Sequence, residues 1–395
     1  MNYLLFDDNS WDNLLPLTFT RPVSELRIGI LTIKEKWEKY LNTECSYITK
    51  DYLSEKYKSE IKNDNILINS SFLPNIEIAN VIKLLNNSEA IVHQDVLLAI
   101  RLDKDSTNDF DFNNSNFQKK ETTLKINKIN YPWDLFTLNG QELESDFDLI
   151  IKNKISQDIS KNNNLLFPER IFVEEGASVL FSNLNATNGP IYIGKDTEVM
   201  EGSNVRGPFA LCEHSALKIG SKIYGPTTIG PHSKVGGEIN NSIIIGYSNK
   251  AHDGFLGQAV IGEWCNIGAD SNNSNLKNNY TDVRMWNYPK QSFIKTGLTF
   301  CGLIMGDHSK CGINTMFNTG TVIGVNSNIF GGGYPRNFIP SYSWGGSNQM
   351  INYEFNKAIE VAQKVMSRRN IELSEIDIKI LKHIYGITEA FRDKQ

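Results

Sequence analysis

Eight apolar residues spaced six apart constrain this chain more than any other feature: Ile193, Val199, Val205, Leu211, Leu217, Ile223, Ile229 and Val235. With about a quarter of residues Ile, Leu or Val, such a run at one phase has odds on the order of one in 10^5. Neither the helical period nor strand alternation explains it. A period of six is the hexapeptide signature of a β-helix, a solenoid whose coils stack their inward side chains. Gly194, Gly220, Gly230 and Gly236 fall beside the apolar positions, where coil corners need a permissive backbone. The pattern resumes at Phe255, Ile261 and Ile267, and again at Met305, Cys311, Phe317, Ile323 and Ile329. A weaker start at Val173 and Val179 predicts a solenoid over residues 171–333.

The period fails over residues 270–297, where Asn and Lys dominate. A loop of that length without structure of its own is usually functional or disordered. Upstream, residues 1–170 read as an α/β domain. Tyr3-Leu4-Leu5-Phe6 and Ile66-Leu67-Ile68 are short buried strands, Ile30, Ile33, Trp37 and Tyr40 fall at helical spacing, and a strand pair bends at Gln94-Asp95. Residues 103–118, rich in Asn, Asp and Ser, read as an exposed loop. Downstream, residues 334–395 form a tail with two helices. Phe355, Ile359, Ala362 and Met366 make one helical stripe, and Ser374 with Asp377 would cap a second helix carrying Ile380, Leu381 and Ile384. Such a tail would cover the last coil, whose strand edges are otherwise open.

The 395 residues carry a formal net charge of −5, which argues against a partner bound by bulk positive charge such as nucleic acid. No apolar run reaches the roughly 18 residues of a membrane span, and the N-terminus lacks the basic and apolar regions of a signal peptide. Five cysteines without Cys-x-x-Cys spacing read as buried thiols rather than disulfides or a metal site. A soluble cytoplasmic protein is the expectation.

One histidine stands in a break of the solenoid period. Gly246 to Gly257 reads Gly-Tyr-Ser-Asn-Lys-Ala-His-Asp-Gly-Phe-Leu-Gly, with His252 at its centre, and Ile261 then restores the period. A neutral imidazole on a coil corner can take a proton from an amine as that amine attacks a thioester. His214, His232 and His308 lie near turns and read as ordinary corner residues.

Lys250-Ala251-His252 through Leu256-Gly257, followed by Asn266-Ile267-Gly268-Ala269 and Asn275, resembles the acetyltransferase half of the bifunctional N-acetylglucosamine-1-phosphate uridylyltransferase/glucosamine-1-phosphate N-acetyltransferase family, in a divergent bacterial branch. The resemblance implies a left-handed parallel β-helix working as a homotrimer with sites between subunits. It implies acetyl-CoA as co-substrate and an amino-sugar phosphate as acceptor. By position, His252 takes the role of general base, and Asn266 and Asn275 contact the sugar. Phe255 stands where the family has a substrate-contacting Tyr. The Ala269 amide would help hold the thioester oxygen. Ile313 and Gly331 fall where later rungs line the coenzyme A channel. The family's two phosphate-gripping cations fall near Tyr224 and Asn241, neither basic, so Lys250, Lys277, Lys222 or Arg284 would have to supply that charge.

Leu14-Leu15-Pro16-Leu17-Thr18-Phe19-Thr20-Arg21-Pro22 resembles the opening of sugar-1-phosphate nucleotidyltransferases, which implies a nucleotidyltransferase-like fold for residues 1–170. The Gly-rich phosphate loop of working members is replaced by Asp8-Asn9-Ser10-Trp11-Asp12, and no carboxylate stands at Ile66-Leu67-Ile68-Asn69-Ser70, where the resemblance would put a Mg²⁺ ligand. Arg21 and Arg27 are the candidates to grip a nucleotide phosphate. UTP and Mg²⁺ enter only if this domain is active. Three readings follow: an N-acetyltransferase in sugar-nucleotide synthesis, a fully bifunctional enzyme that also transfers uridylyl from UTP, and a non-catalytic or metal-trimer hexapeptide scaffold. No metal site is expected, because His232, His252 and His308 are far apart in sequence.

Overall fold

The structure, a computed structural model, describes residues 1–111 and 117–393. The chain forms two compact units. The first comprises Met1–Leu14, Thr20–Leu26 and Leu31–Tyr131; the second comprises Leu15–Phe19, Arg27–Ile30 and the chain from Pro132 onward.

In the first unit, Asn2–Phe6 is buried along its whole length, as a strand covered on both faces must be. It lies between Ser46–Ile48 and Asp64–Asn69 and runs parallel to both. The connection after Asn2–Phe6 runs to Ser46–Ile48 on one side and that after Asp64–Asn69 runs to the other side of the sheet, so the carboxyl ends of these two neighbours flank a topological switch point. Glu89–His93 and Val96–Asp103 form the expected pair, turning at Gln94 and Asp95 with φ of 51° and 64°. Helix Ile33–Leu41 begins at a reciprocal cap. The Thr32 hydroxyl accepts from the Glu35 amide at 3.2 Å, and the Glu35 carboxylate accepts from the Thr32 amide at 2.7 Å. Within the expected loop at 103–118, Lys104–Asn108 is a short helix capped by Asp103, Gln118 opens a strand, and residues 112–116 lie outside the described residues.

The second unit is a parallel β-solenoid. Its three walls are sheets of six, nine and ten strands, all parallel except for the closing strand Met350–Asn352. The register stacks the hexapeptide residues into inward columns, except at the break, where Leu256 and not the expected Phe255 takes the inward position, because Phe255 pairs with Glu238 on the outward-facing register. One runs Val173, Ile193, Leu211, Ile229, Ile244, Ile261, Met305, Ile323, Ile339. A second runs Leu184, Val205, Ile223, Ile239, Leu256. A third runs Val179, Val199, Leu217, Val235 and then Lys250. Each buried Ile, Leu or Val contributes roughly 1.5–3 kcal/mol, so the columns are the main source of cohesion.

One corner of the coils is built from residues in the left-handed conformation: Asp196, His214, His232, Tyr247, Trp264, His308, Asn326 and Tyr342, with φ between 52° and 60°. Five of them stack ring on ring, His214 to His232 at 4.7 Å, His232 to Tyr247 at 4.8 Å, Tyr247 to Trp264 at 4.4 Å and Trp264 to His308 at 6.4 Å. Behind the stack, inward hydroxyls satisfy corner carbonyls that the apolar core cannot. Ser215 donates to the Gly230 carbonyl at 2.8 Å, Ser248 to Gly262 at 2.8 Å and Ser327 to Pro340 at 2.7 Å. Cys265 stands in the same ladder and donates to Gly306 at 3.2 Å. All five cysteines are free and buried.

The interruption at 270–297 has structure of its own, an antiparallel hairpin of Arg284–Asn287 with Ser292–Lys295. The tail helices are Phe355–Ser367, Glu375–Ile387, capped by Ser374, and the short Glu389–Arg392. They cover the last coil as expected. The Tyr342 hydroxyl donates to the Leu381 carbonyl at 2.8 Å, and the Arg392 guanidinium donates to the Ser341 carbonyl and lies 4.3 Å over the Tyr385 ring. No helix among the described residues is long and apolar enough to cross a membrane.

Candidate functional site

The loop carrying His252 is held by polar side chains that occupy core rungs. Lys250 stacks on Val235 in an apolar column and is 2% exposed. Its ammonium donates to the carbonyls of His252 and, at 3.2 Å, Asp253. Burial pulls its pKa down to about 8. One wall further on, Asn273 takes an inward position in register with Phe317. Its amide accepts from Gly257 N and donates to Gly257 O, both at 2.9 Å. Asn272 accepts from the Phe255 amide at 2.7 Å. Gly254 has φ 115°, and a Cβ there would lie 2.2 Å from the Ser271 carbonyl oxygen, so the loop passes the next coil too closely for any side chain. Residues 250–257 are thus pinned at both ends, and the imidazole projects from a fixed backbone.

His252 is exposed and lines a cavity of about 620 Å³. The same cavity is lined by Asn249 and Asn266, by Tyr247 and Trp264 of the ring stack, and by four cations: Lys234, Lys310, Arg368 and Arg369. The last two come from the end of the first tail helix, which also brings Val361 and Val365. Arg369 donates to Asn249 Oδ1 at 3.2 Å, tying the tail to the coil. Burial lowers the pKa of Arg369, and it brings Lys310 down to about 8. His232 is also shifted down, first by burial, then by His214 and Arg369. The size suits a small organic ligand, and the lining suits an anionic one.

The other candidate residues lie elsewhere on the second unit. Phe255 and Asn275 flank Gly257 on one wall, and Asn275 donates to the Gln258 side-chain oxygen. The Ala269 carbonyl accepts from Asn314 N at 2.8 Å, which puts Ala269 next to Ile313, itself 69% exposed. Gly331, φ 100°, lines a hollow of about 340 Å³ with Phe330 and Trp344. Lys277 donates to the Asp282 carbonyl at 2.7 Å and lines a cavity of about 710 Å³ with Arg284, Arg336, Trp286, Phe338 and Phe391. Lys250 lines none of these cavities; its charge is turned inward.

Of the front arginines, Arg21 belongs to the first unit and Arg27 to the second. Both are buried, and the Arg27 guanidinium donates to the Ile30 carbonyl. At the switch point of the first unit stand two carboxylates instead of a Gly-rich loop. Asp7 accepts from Val23 N at 2.9 Å and from the Thr49 hydroxyl at 2.6 Å, and burial raises its pKa to about 7. Asp8 accepts from Ser10 N at 2.9 Å and Asn69 at 2.9 Å, and pairs with Lys128 at 3.2 Å. Its pKa is lowered: burial acts upward, and Lys128 with the hydrogen bonds outweighs it. Each of the four carboxylate oxygens thus already has a partner within the protein. Among the described residues, no group of three or more His, Cys, Asp or Glu could hold a metal ion.

Sequence reasoning missed Arg368, Arg369, Lys234 and Lys310. The adjacent arginines after an amphipathic stripe were the one visible signal, and nothing in the spacing showed that the tail turns back to the His252 corner.

A family model described as Sugar nucleotidyl transferase matches residues 3–155. The Bifunctional protein GlmU of Methanococcus aeolicus is 29% identical over 238 residues, covering 60% of this chain and 47% of that protein. A Bifunctional sugar-1-phosphate nucleotidylyltransferase/acetyltransferase of Sulfurisphaera tokodaii is 26% identical over 220 residues, covering 55% of this chain and 49% of that one. The chain thus spans about half the length of the curated relatives it matches. Among solved structures, an Arabidopsis UDP-N-acetylglucosamine acyltransferase aligns over 54% of this chain and 77% of that one, at 13% identity and a TM-score of 0.25.

Proposed function

We propose that this chain, which is similar to the curated bifunctional relatives and carries a Sugar nucleotidyl transferase match over residues 3–155, uses its solenoid to transfer an acetyl group from acetyl-CoA to the amine of an amino-sugar phosphate resembling glucosamine-1-phosphate. The observation that carries the reading is His252, exposed on a pinned loop at the edge of a cation-lined cavity that also holds Asn266. The amine nitrogen attacks the thioester carbonyl. His252 takes the proton the amine loses, the C–N bond forms, the C–S bond breaks, and the imidazolium returns its proton to the departing thiolate. Asn266 orients the sugar, and the Ala269 amide polarises the thioester oxygen.

Phe255 with Asn275, Ala269 with Ile313, and Gly331 do not line the His252 cavity. A homotrimer packed through the solenoid walls would supply them from a second copy, and this supports a shared site between subunits. The five free buried thiols suit a reducing cytoplasm. Mg²⁺-dependent transfer from UTP is not part of this reading, because Asp8-Asn9-Ser10-Trp11-Asp12 stands in place of a Gly-rich phosphate loop. Mass-spectrometric product analysis after incubation with glucosamine-1-phosphate, acetyl-CoA, UTP and Mg²⁺ tests the proposal. The expected product is the acetylated sugar phosphate alone. A nucleotide sugar would show the bifunctional alternative, and an unchanged acceptor would end the proposal.

A further inference from the structure

We infer that Arg368 and Arg369 of the tail, with Lys234 and Lys310 of the coils, form a phosphate-binding end of the His252 cavity and hold the phosphomonoester of the acceptor; this rests on the acetyl-transfer reading above. The lining brings these four cations together and contains no carboxylate. Among the described residues none of the four is ion-paired, whereas Lys34, Lys50, Arg101 and Lys154 elsewhere each have an acidic partner. Like charges gathered without counter-charge repel one another, and a bound anion is what relieves them. Burial lowers the pKa of both Arg369 and Lys310, Arg368 adds to the lowering at Arg369, and the Lys310 ammonium donates to the His308 carbonyl at 2.7 Å. Two adjacent guanidinium groups suit a phosphate better than ammonium groups do, because each presents a planar fork of donors.

The phosphate belongs to the amine-bearing molecule, because the proton acceptor lines the same cavity. In an amino sugar with its amine at C2 and its phosphate at C1, both groups sit on neighbouring carbons and fit one small chamber. A phosphate of coenzyme A is the competing source.

The test uses the full chain and two variants, Arg368→Ala and Arg368→Ala/Arg369→Ala, with thermal melting as the check that the tail still packs. Calorimetric titration with glucosamine-1-phosphate and with inorganic phosphate, without acetyl-CoA, should show affinity for both falling at least tenfold in the double variant. Arg368→Lys should retain part of it, and weak binding of unphosphorylated glucosamine should not change. In turnover, the KM for the acceptor should rise while the KM for acetyl-CoA stays the same. Unaltered phosphate affinity overturns the inference. So does a loss that falls on acetyl-CoA and disappears with the dephospho form, which would give the cations to the coenzyme. The two readings fail separately: phosphate binding that depends on the arginines, with no acetyl transfer by the wild type, removes the enzyme and leaves the anion site.

Discussion

Lys250 shows how one side chain can spend stability on geometry. It stands where Val235 stands one coil earlier, in a column that is otherwise apolar, and it holds two carbonyls of the His252 loop. A buried ammonium is costly, and replacing it with a well-packed apolar residue is often neutral or favourable. Lys250→Met should therefore leave the melting temperature unchanged or raise it by a few degrees, while the loop loses its tether and acetyl transfer falls at least tenfold. A proportional loss of both would make Lys250 a purely structural residue. The pH dependence has a definite sign. Burial places the folded pKa at about 8, against 10.5 for the free group. Between these values the unfolded chain holds the extra proton, so the Lys250 contribution to stability rises with pH across that window. The penalty is fully present below pH 8. Any advantage of Lys250→Met over the wild type should accordingly shrink from pH 8 toward pH 10.5.

The coil is the element, and its corners are where side-chain identity and backbone conformation pull apart. Tyr247 and Trp264 sit at φ 52° and 59°, a region that costs a residue with a Cβ roughly 1–2 kcal/mol. Ring stacking over the neighbouring corners offsets this, since aromatic pairs add roughly 0.5–1.5 kcal/mol beyond burial. Once the ring is removed, only the backbone cost remains. Tyr247→Gly should therefore be no less stable than Tyr247→Ala in chemical denaturation, the reverse of the order in a regular strand. A glycine variant clearly less stable than the alanine one would refute this account of the corner. The columns were legible in advance, because an inward position every six residues leaves a mark in an apolar alphabet. The corner stack was not, because His, Tyr, Trp, Asp and Asn share a conformation rather than a chemistry. The break near His252 was legible as a break. Its cause, Lys250 and Asn273 facing inward, was hidden because a polar residue in a core rung looks like the end of the pattern.

At the scale of the whole molecule, the two units are matched to different degrees by what their residues offer. The first has a family match over residues 3–155, yet its switch point holds Asp7 and Asp8, satisfied by Thr49, Asn69 and Lys128. The second gathers an exposed imidazole, an asparagine and four cations around one cavity, two of the cations from a tail more than a hundred residues away in sequence. That long-range closure is why the site could be only partly read from the chain: His252 and Asn266 sit within one coil, whereas Arg368 and Arg369 depend on how the tail docks. The central claim is that His252 serves as the proton acceptor in acetyl transfer. Its most direct test is the rate of thiol release from acetyl-CoA with glucosamine-1-phosphate, compared between the wild type and a correctly folded His252→Ala. General-base loss predicts a fall of roughly 10²- to 10⁴-fold, with acceptor binding retained. Thiol release that continues undiminished in His252→Ala would contradict the account.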